Sequence, residues 1–266
     1  MKYLYLLISS IILTYFIVIL FVYFYQRNLL YHPDENNYLN DKIGFTYKEI
    51  FIETDKDIKL KSWFIEKDLE KFKTVLLFHG NAGNLFNRVY KLNELNKLDL
   101  NILIISWRSF SGNKGKPTEK NLYNDAEEVV KWLNARGVNN KKIILYGESL
   151  GTGVATELGK RNIFGGIILE SPFTSIANAA KIYYPYLPIN LILKDRYDSI
   201  KKIQSITTPI LIMHGKKDNI VPQKMGLELF EKANEPKFNY FPENDDHMME
   251  YNDELLNNIE IFINKI

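Results

Sequence analysis

Residues 141–161 read KKIILYGESLGTGVATELGKR, and the position of Ser149 in that run decides how the chain is organised. The apolar stretch ending at Gly147 has the continuity of a strand buried on both faces, and the stretch from Ser149 onward has helical spacing. Ser149 therefore occupies Gly147-Glu148-Ser149-Leu150-Gly151, a turn that leads directly from strand into helix. The flanking glycines leave room for neighbouring chain where a side chain would clash, and such a turn carries its serine in a strained backbone. Ser149 is thereby a candidate nucleophile. The bare G-x-S-x-G pattern is weak, since both residues are common; the strand-turn-helix context gives it weight.

Outward from this stretch the same strand type recurs as TVLLFHG (74–80), NILIISW (101–107), GGIILES (165–171) and TPILIMHG (208–215), with KFNYF (237–241) last. Helical spacing fills the intervals: Leu85 to Leu98, then 118–137, 149–161 and 222–236, with 248–266 closing the chain. Before them, YKEIFIET (47–54) and IKLKSWFIEK (58–67) alternate apolar with polar residues, as an antiparallel pair does. The pattern predicts an α/β domain with a mostly parallel sheet, helices on both faces and an antiparallel pair at its start. One block breaks the alternation. Residues 173–208, with two prolines and three tyrosines gathered at YYPYLP (183–188), lie between two strands and are read either as a cap over the strand ends or as one crossover helix with a loop.

The first segment differs in kind. Tyr3 to Tyr25 carries no charge, and as a helix it would extend roughly 34 Å, enough to cross a bilayer. It lacks the short apolar core and small-residue cleavage site of a signal peptide. The chain thus divides into an anchor over residues 1–27 and a single domain over 28–266, with the membrane as partner through residues 3–25. Lys2 and the terminal amine flank one end, Arg27 and Lys42 the other, so basic asymmetry is close to nil. The short N-terminus before a long domain tips the expectation toward a domain on the outer, non-cytoplasmic face.

Composition removes several classes of function. The 34 basic and 32 acidic residues nearly cancel, which gives no field for nucleic acid. Zero cysteines excludes disulfides, thiolate metal sites and a cysteine nucleophile.

A serine hydroxyl needs a base, and there are four histidines. His32 lies beside the anchor. His79 and His214 end strands ahead of a glycine and read as packing residues. His247, in FPENDDHMMEY, follows the last strand at the start of the last helical stretch and is the candidate base. Asp218, in the loop after TPILIMHG, falls between Ser149 and His247 in the chain and is the candidate to orient the imidazole. Glu170, at the end of GGIILES, is the rival acid. Asp245 and Asp246 read as caps of the last helix. For the oxyanion, Leu150 supplies the amide that follows the serine. The turn HGNAGN (79–84), which lacks the spacing of either nucleotide-binding fingerprint, supplies a second at Asn81.

Together HGNAGN, GESLG, HGKKDNIVP and the late DDH resemble the α/β-hydrolase superfamily of serine hydrolases. They are similar to its membrane-anchored, alpha/beta hydrolase domain-containing members and to serine-aminopeptidase-like and monoacylglycerol-lipase-like ones. The resemblance runs from about Gln26 to the C-terminus. It implies the α/β-hydrolase fold with a small cap, Ser149 as nucleophile, His247 as base, Asp218 as acid, and Asn81 and Leu150 as oxyanion donors. It also implies no metal or organic cofactor. Relatives usually carry D-Y-R-G-Y-G where this chain has Ser106 to Ser111 (SWRSFS), a change that bears on loop packing and substrate fit; Arg108 and the later GKPTE are kept. The implied chemistry is hydrolysis of an ester or thioester through an acyl-enzyme, with lipid or acylated substrates suggested by the anchor and by the apolar segment Tyr183 to Leu193. Acyl transfer to an alcohol and amide or peptide hydrolysis use the same residues, and a non-catalytic tethered scaffold is the rival of another class.

Overall fold

The computed structural model describes residues 1–36 and 43–266; Lys42, one of the basic residues read as flanking the apolar segment, lies outside the described residues. The first helix, α1 (Lys2–Leu30), continues three residues past the boundary read from sequence. Its mean hydropathy reaches 2.6, and it is long and apolar enough to cross a membrane.

Strands β1 (Lys48–Asp55), β2 (Ile58–Ile65), β3 (Lys73–Phe78), β4 (Leu100–Ile105), β5 (Ile143–Glu148), β6 (Gly166–Glu170), β7 (Ile210–Met213) and β8 (Lys237–Tyr240) form one sheet. Their spatial order is β1-β2-β4-β3-β5-β6-β7-β8. β2 runs antiparallel to β1 and β4, and every other neighbouring pair is parallel. This is the α/β-hydrolase fold, entered through the antiparallel pair as the alternation in residues 47–67 predicts. The central strands β3 to β6 are buried almost throughout, which is why they read as continuous apolar runs rather than as alternating ones.

The helices are α2 (Val89–Leu95), α3 (Glu119–Asn134), α4 (Leu150–Arg161), α5 (Ile176–Tyr183), α6 (Ile189–Ile192), α7 (Gln223–Lys232) and α8 (Asp253–Lys265). They leave two large apolar clusters, one on each face of the sheet. Strand order reverses at β3: β4 lies on one side of it and β5 on the other. A crevice opens at such a point, outside the carboxyl ends of the strands. The loop after β3 and the turn after β5, the two segments singled out by sequence, both face it.

Two local expectations change. The stretch from Leu85 to Leu98 begins as a 3-10 turn over Leu85–Arg88, capped by the Asn84 side chain, before α2 starts at Val89. The last helix begins at Asp253 with Asn252 as its cap, so Asp245 and Asp246 do not cap it and His247 does not begin it. Residues 245–252 instead form an irregular turn. Asp246 accepts from the Met248 amide and Asp245 from the Glu250 amide.

Candidate active site

The turn after β5 holds Ser149 at φ 49° and ψ −111°, in the left-handed region that a residue with a side chain adopts only where its surroundings impose it. Those surroundings can be named. A Cβ on Gly151 would lie 2.0 Å from the Phe78 carbonyl oxygen, and one on Gly147 would lie 2.5 Å from the Gly151 carbonyl oxygen. Both positions therefore need glycine for α4 to pack this closely on β3 and β5. The Ser149 amide donates to the Glu170 carbonyl (2.9 Å), and the Ser149 carbonyl accepts from the Thr152 amide (2.9 Å).

Ser149, Asp218 and His247 meet here. The Ser149 hydroxyl is 3.0 Å from His247 Nε2, and His247 Nδ1 is 2.7 Å from Asp218 Oδ2. Since a carboxylate accepts, Nδ1 carries the proton and Nε2 presents its lone pair to the serine. The Ser171 hydroxyl, donating to the His247 carbonyl at 2.9 Å, fixes the turn that carries the imidazole.

Asp218 is held by four donors. Oδ1 accepts from the Ile220 and Val221 amides (2.9 and 2.8 Å), and Oδ2 accepts from His247 and from His214 Nε2 (3.0 Å). Burial acts to raise its pKa, but the hydrogen bonds from His214 and His247 outweigh burial and hold the group well below the usual carboxylate range. His214 is more than the packing residue that its place at a strand end suggests. Its Nε2 also faces the Val221 carbonyl at 2.8 Å, so that nitrogen is the protonated one, while its buried Nδ1 has no partner among the described residues.

His79 does pack. Burial first, then the nearby Arg88 charge, lower its pKa to about 3, so the ring is neutral. Nδ1 donates to the Gly80 carbonyl (2.8 Å) and Nε2 accepts from the Trp107 amide (3.3 Å). Trp107 belongs to the segment that departs from the family pattern. Its indole donates to the His79 carbonyl (2.9 Å) and stacks on Phe78. The altered loop thus braces HGNAGN through a buried tryptophan, while Arg108 forms a fork on Asp125, with Nε 2.7 Å from Oδ2 and an Nη 2.6 Å from Oδ1.

The rival acid, Glu170, is engaged elsewhere. Its carboxylate receives Lys91 Nζ (3.0 and 2.8 Å) and the hydroxyls of Tyr146 (2.6 Å) and Tyr251 (2.7 Å). Lys91 Nζ also reaches Glu148 (2.6 Å), which pairs with Arg88 (2.6 Å) and accepts the Gly80 amide (3.2 Å). Burial opposes ionisation in this cluster, yet the charges of Arg88 and Lys91 hold the Glu148 pKa well below its usual range, and the two glutamates keep Lys91 protonated. Sequence reading missed this network. A signal existed: Arg88 and Lys91 fall in register with Leu92 and Leu95, the core-facing side of that stretch.

Asn81 and Leu150, the two oxyanion candidates, line one cavity of about 250 Å³ together with Ser149. Its other walls come from α5, from Phe173 and Val221, and from Leu29 and Leu30 at the end of α1. No charged side chain lines it among the described residues. The Tyr183 hydroxyl donates to the Asn219 and Ile220 carbonyls (both 2.7 Å) and ties α5 to the Asp218 loop. Within 173–208, two helices and two 3-10 turns stand where a single crossover helix was the other reading.

Comparison with known proteins agrees with this architecture. Residues 108–255, more than half of the chain, match the prolyl oligopeptidase family. An uncharacterized protein of Mycobacterium tuberculosis is 33% identical over 223 residues, covering 83% of this chain and 79% of the relative. A lysophosphatidylserine lipase of Danio rerio is 33% identical over 196 residues, covering 66% of this chain and 51% of that one. Among solved structures, an esterase of Pyrococcus furiosus superposes with a TM-score of 0.69 at 20% identity, covering 89% of this chain and 97% of the esterase.

Proposed function

Because the chain belongs to the prolyl oligopeptidase family and is an α/β-hydrolase-fold serine hydrolase, we propose that it is a membrane-anchored enzyme that cleaves carboxylic esters or thioesters by a Ser149-His247-Asp218 triad. The observation that carries the reading is the continuous hydrogen-bonded relay from the Ser149 hydroxyl through His247 to Asp218.

Ser149 Oγ attacks the substrate carbonyl carbon while His247 Nε2 takes its proton. Asp218 holds the imidazole in the Nδ1–H tautomer and stabilises the imidazolium. The amides of Leu150, at the first turn of α4, and of Asn81 receive the oxyanion. His247 then protonates the leaving alcohol or thiol, and the same nitrogen takes a proton from the water that attacks the acyl-enzyme. Water's oxygen leaves with the acid, and Ser149 recovers its proton.

The uncharged walls of the cavity favour an apolar acyl group over a charged peptide. The Danio rerio relative named as a lysophosphatidylserine lipase supports an ester-bearing lipid. The apolar α1 supports an anchor through residues 3–25.

The test is labelling of the full-length protein with a fluorophosphonate, the modified residue being located by mass spectrometry. Label at Ser149 that is lost in Ser149→Ala and His247→Ala is the expected result. Absence of label from folded wild-type protein would refute the triad.

A further inference from the structure

The cap and α1 are joined along a single face of the helix. Of the residues of α1, Gln26 is buried and Ile19, Val22 and Leu30 are half-buried, spaced by three and four, and the more exposed Tyr15 extends the same stripe. The Tyr15 hydroxyl donates to the Tyr186 carbonyl (2.6 Å), and Ile19 and Val22 pack against a small apolar cluster of Ala177, Leu187 and Ile189. Gln26 donates to the Ile192 carbonyl (2.9 Å) and accepts from the Lys194 amide (2.7 Å). Arg27 pairs with Asp195 at 2.9 Å.

Depth follows from helix arithmetic. If α1 sits as shallowly as the charge on Lys2 allows, about 20 residues from Tyr3 onward still lie in the hydrocarbon, so that layer reaches Val22. Tyr15 then lies about 10 Å inside the boundary at 1.5 Å per residue. Whatever packs on Tyr15 and Ile19 lies at that level too.

Charge gives an independent sign of the same level. Residues 182–193 of the cap carry no charge, just as α1 carries none from Tyr3 to Tyr25. Both elements turn charged together, at Arg27 on one and at Lys194, Asp195 and Arg196 on the other. The outward side chains of the uncharged run are apolar and exposed, with Leu191 at 86% and Tyr186 at 63%.

We infer that the cap segment 182–193 is immersed in the same leaflet as the adjoining half of α1, and that the cavity before Ser149 receives an ester-bearing amphiphile laterally from that leaflet. This rests on the anchored-esterase reading above. Leu29 and Leu30 of α1 and Ala179, Ala180 and Tyr183 of α5 wall the cavity, so an acyl chain leaving the bilayer meets apolar surface all the way to the serine. Where both elements turn charged, the Lys194 ammonium lies 4.0 Å from the Tyr23 ring centroid, as an interfacial lysine over an aromatic residue does.

The absence of native cysteine allows single labels to be placed cleanly. Full-length Leu191→Cys, Tyr186→Cys, Ile12→Cys and Ile163→Cys, each carrying a nitroxide, are reconstituted in phosphatidylcholine vesicles, and collisions with oxygen and with a water-soluble nickel chelate are compared. Ile163 is an exposed residue in the loop before β6, at the opposite ends of the strands. Labels at 191 and 186 are expected to match the lipid-facing label at 12, and the label at 163 to be accessible to the chelate. If labels at 191 and 186 match that at 163 while the one at 12 stays in lipid, the immersion is overturned and the anchor survives. If the label at 12 is also in water, the anchor falls and the immersion with it. A second arm uses Tyr186→Asp with Leu191→Asp. Hydrolysis of a long-chain nitrophenyl ester held in the vesicles is expected to fall at least about ten-fold, since two apolar side chains leave the lipid, with soluble nitrophenyl acetate cleaved as before. Unchanged hydrolysis of the vesicle-held ester, or equal loss on both substrates, would overturn lateral access.

Discussion

On the side of the serine turn that faces α2 and α8, Glu148 and Glu170 are clamped by Arg88, Lys91, Tyr146 and Tyr251, all almost sealed from water. On the other side, α5 and the end of α1 enclose a cavity whose lining is uncharged and which opens to the surface. Both regions touch the residues beside Ser149, Glu148 on one flank and Leu150 on the other. The difference teaches where rigidity and where selectivity reside. Ionised groups taken out of water are costly unless every partner is in place, so the charged cluster tolerates one geometry. Through the Glu148 bond to the Gly80 amide, that geometry is passed to the HGNAGN loop. Apolar walls impose size and little else, so the cavity can vary without disturbing the turn.

The seam between the two regions is the place to break this comparison hardest. Asp218→Asn would set an amide NH₂ against His214 or His247, both of which present N–H, and would favour the His247 tautomer whose Nε2 is protonated. Turnover of a soluble ester is expected to fall on the order of 10⁴-fold, with the melting temperature little changed. A residual rate within a factor of about ten of wild type would show that Asp218 does not set the tautomer.

The next largest effect is expected behind the turn. Lys91→Met leaves two buried carboxylates without their shared cation, at a cost of about 3–5 kcal/mol. Thermal denaturation is expected to show a fall in melting temperature on the order of 10 °C. Stability unchanged within about 0.5 kcal/mol would mean that the cluster is no more demanding than the cavity, and the contrast would collapse.

Acid sharpens the same contrast. His79 stays neutral in the fold down to about pH 3, because burial lowers its pKa, whereas the unfolded chain takes a proton near the ordinary value of 6.5. The unfolded state therefore binds more protons between those values, and stability is lost as the pH is lowered below 6.5, by about 2 kcal/mol at pH 5 from this one group. The depressed pKa values of Glu148 and Asp218 add to the loss only below about 4.5 and 3.8. Lys91, whose pKa is raised, adds no pH dependence in this window, since it is charged in both states below 10.5 and its stabilisation is constant there. Urea midpoints at pH 8 and pH 5 are expected to differ in wild type and to converge in His79→Gln.

The sequence made the fold legible wherever a residue type answers to its immediate neighbours. Gly147 and Gly151 are forced by backbone approaching within van der Waals contact, and such a demand marks the sequence directly. The buried strands announced themselves by unbroken apolar runs. Ser149, Asp218 and His247 could be nominated from order along the chain, and the fold brings them together. What stayed hidden depends on pairs distant in sequence. Lys91 and Glu170 are 79 residues apart, and nothing along the chain ties one to the other. The second donor on Asp218 from His214 was hidden for another reason: a histidine before a glycine at a strand end has an adequate bland explanation. The caps assigned to Asp245 and Asp246 failed because acidic residues ahead of a helical pattern look alike whether they start the helix or brace the turn before it. Here Asn252 starts the helix, and the aspartates shape the turn that presents His247.

The smallest effect on stability is expected in front of the turn, where it is also the most informative about substrate. Ala179 is half-buried and lines the cavity about one helical turn from Ile176. Ala179→Trp projects an indole into about 250 Å³ of space without touching the charged cluster. Medium- and long-chain nitrophenyl esters are expected to lose kcat/KM by about ten-fold or more, as 1–3 kcal/mol of pocket contact is forfeited, while the acetate is cleaved at nearly the wild-type rate. The melting temperature should move less than in Lys91→Met by a wide margin. Equal loss across all chain lengths would mean that the indole disturbs Ser149 itself, and that the cavity wall is as rigidly coupled to the turn as the ionised cluster behind it.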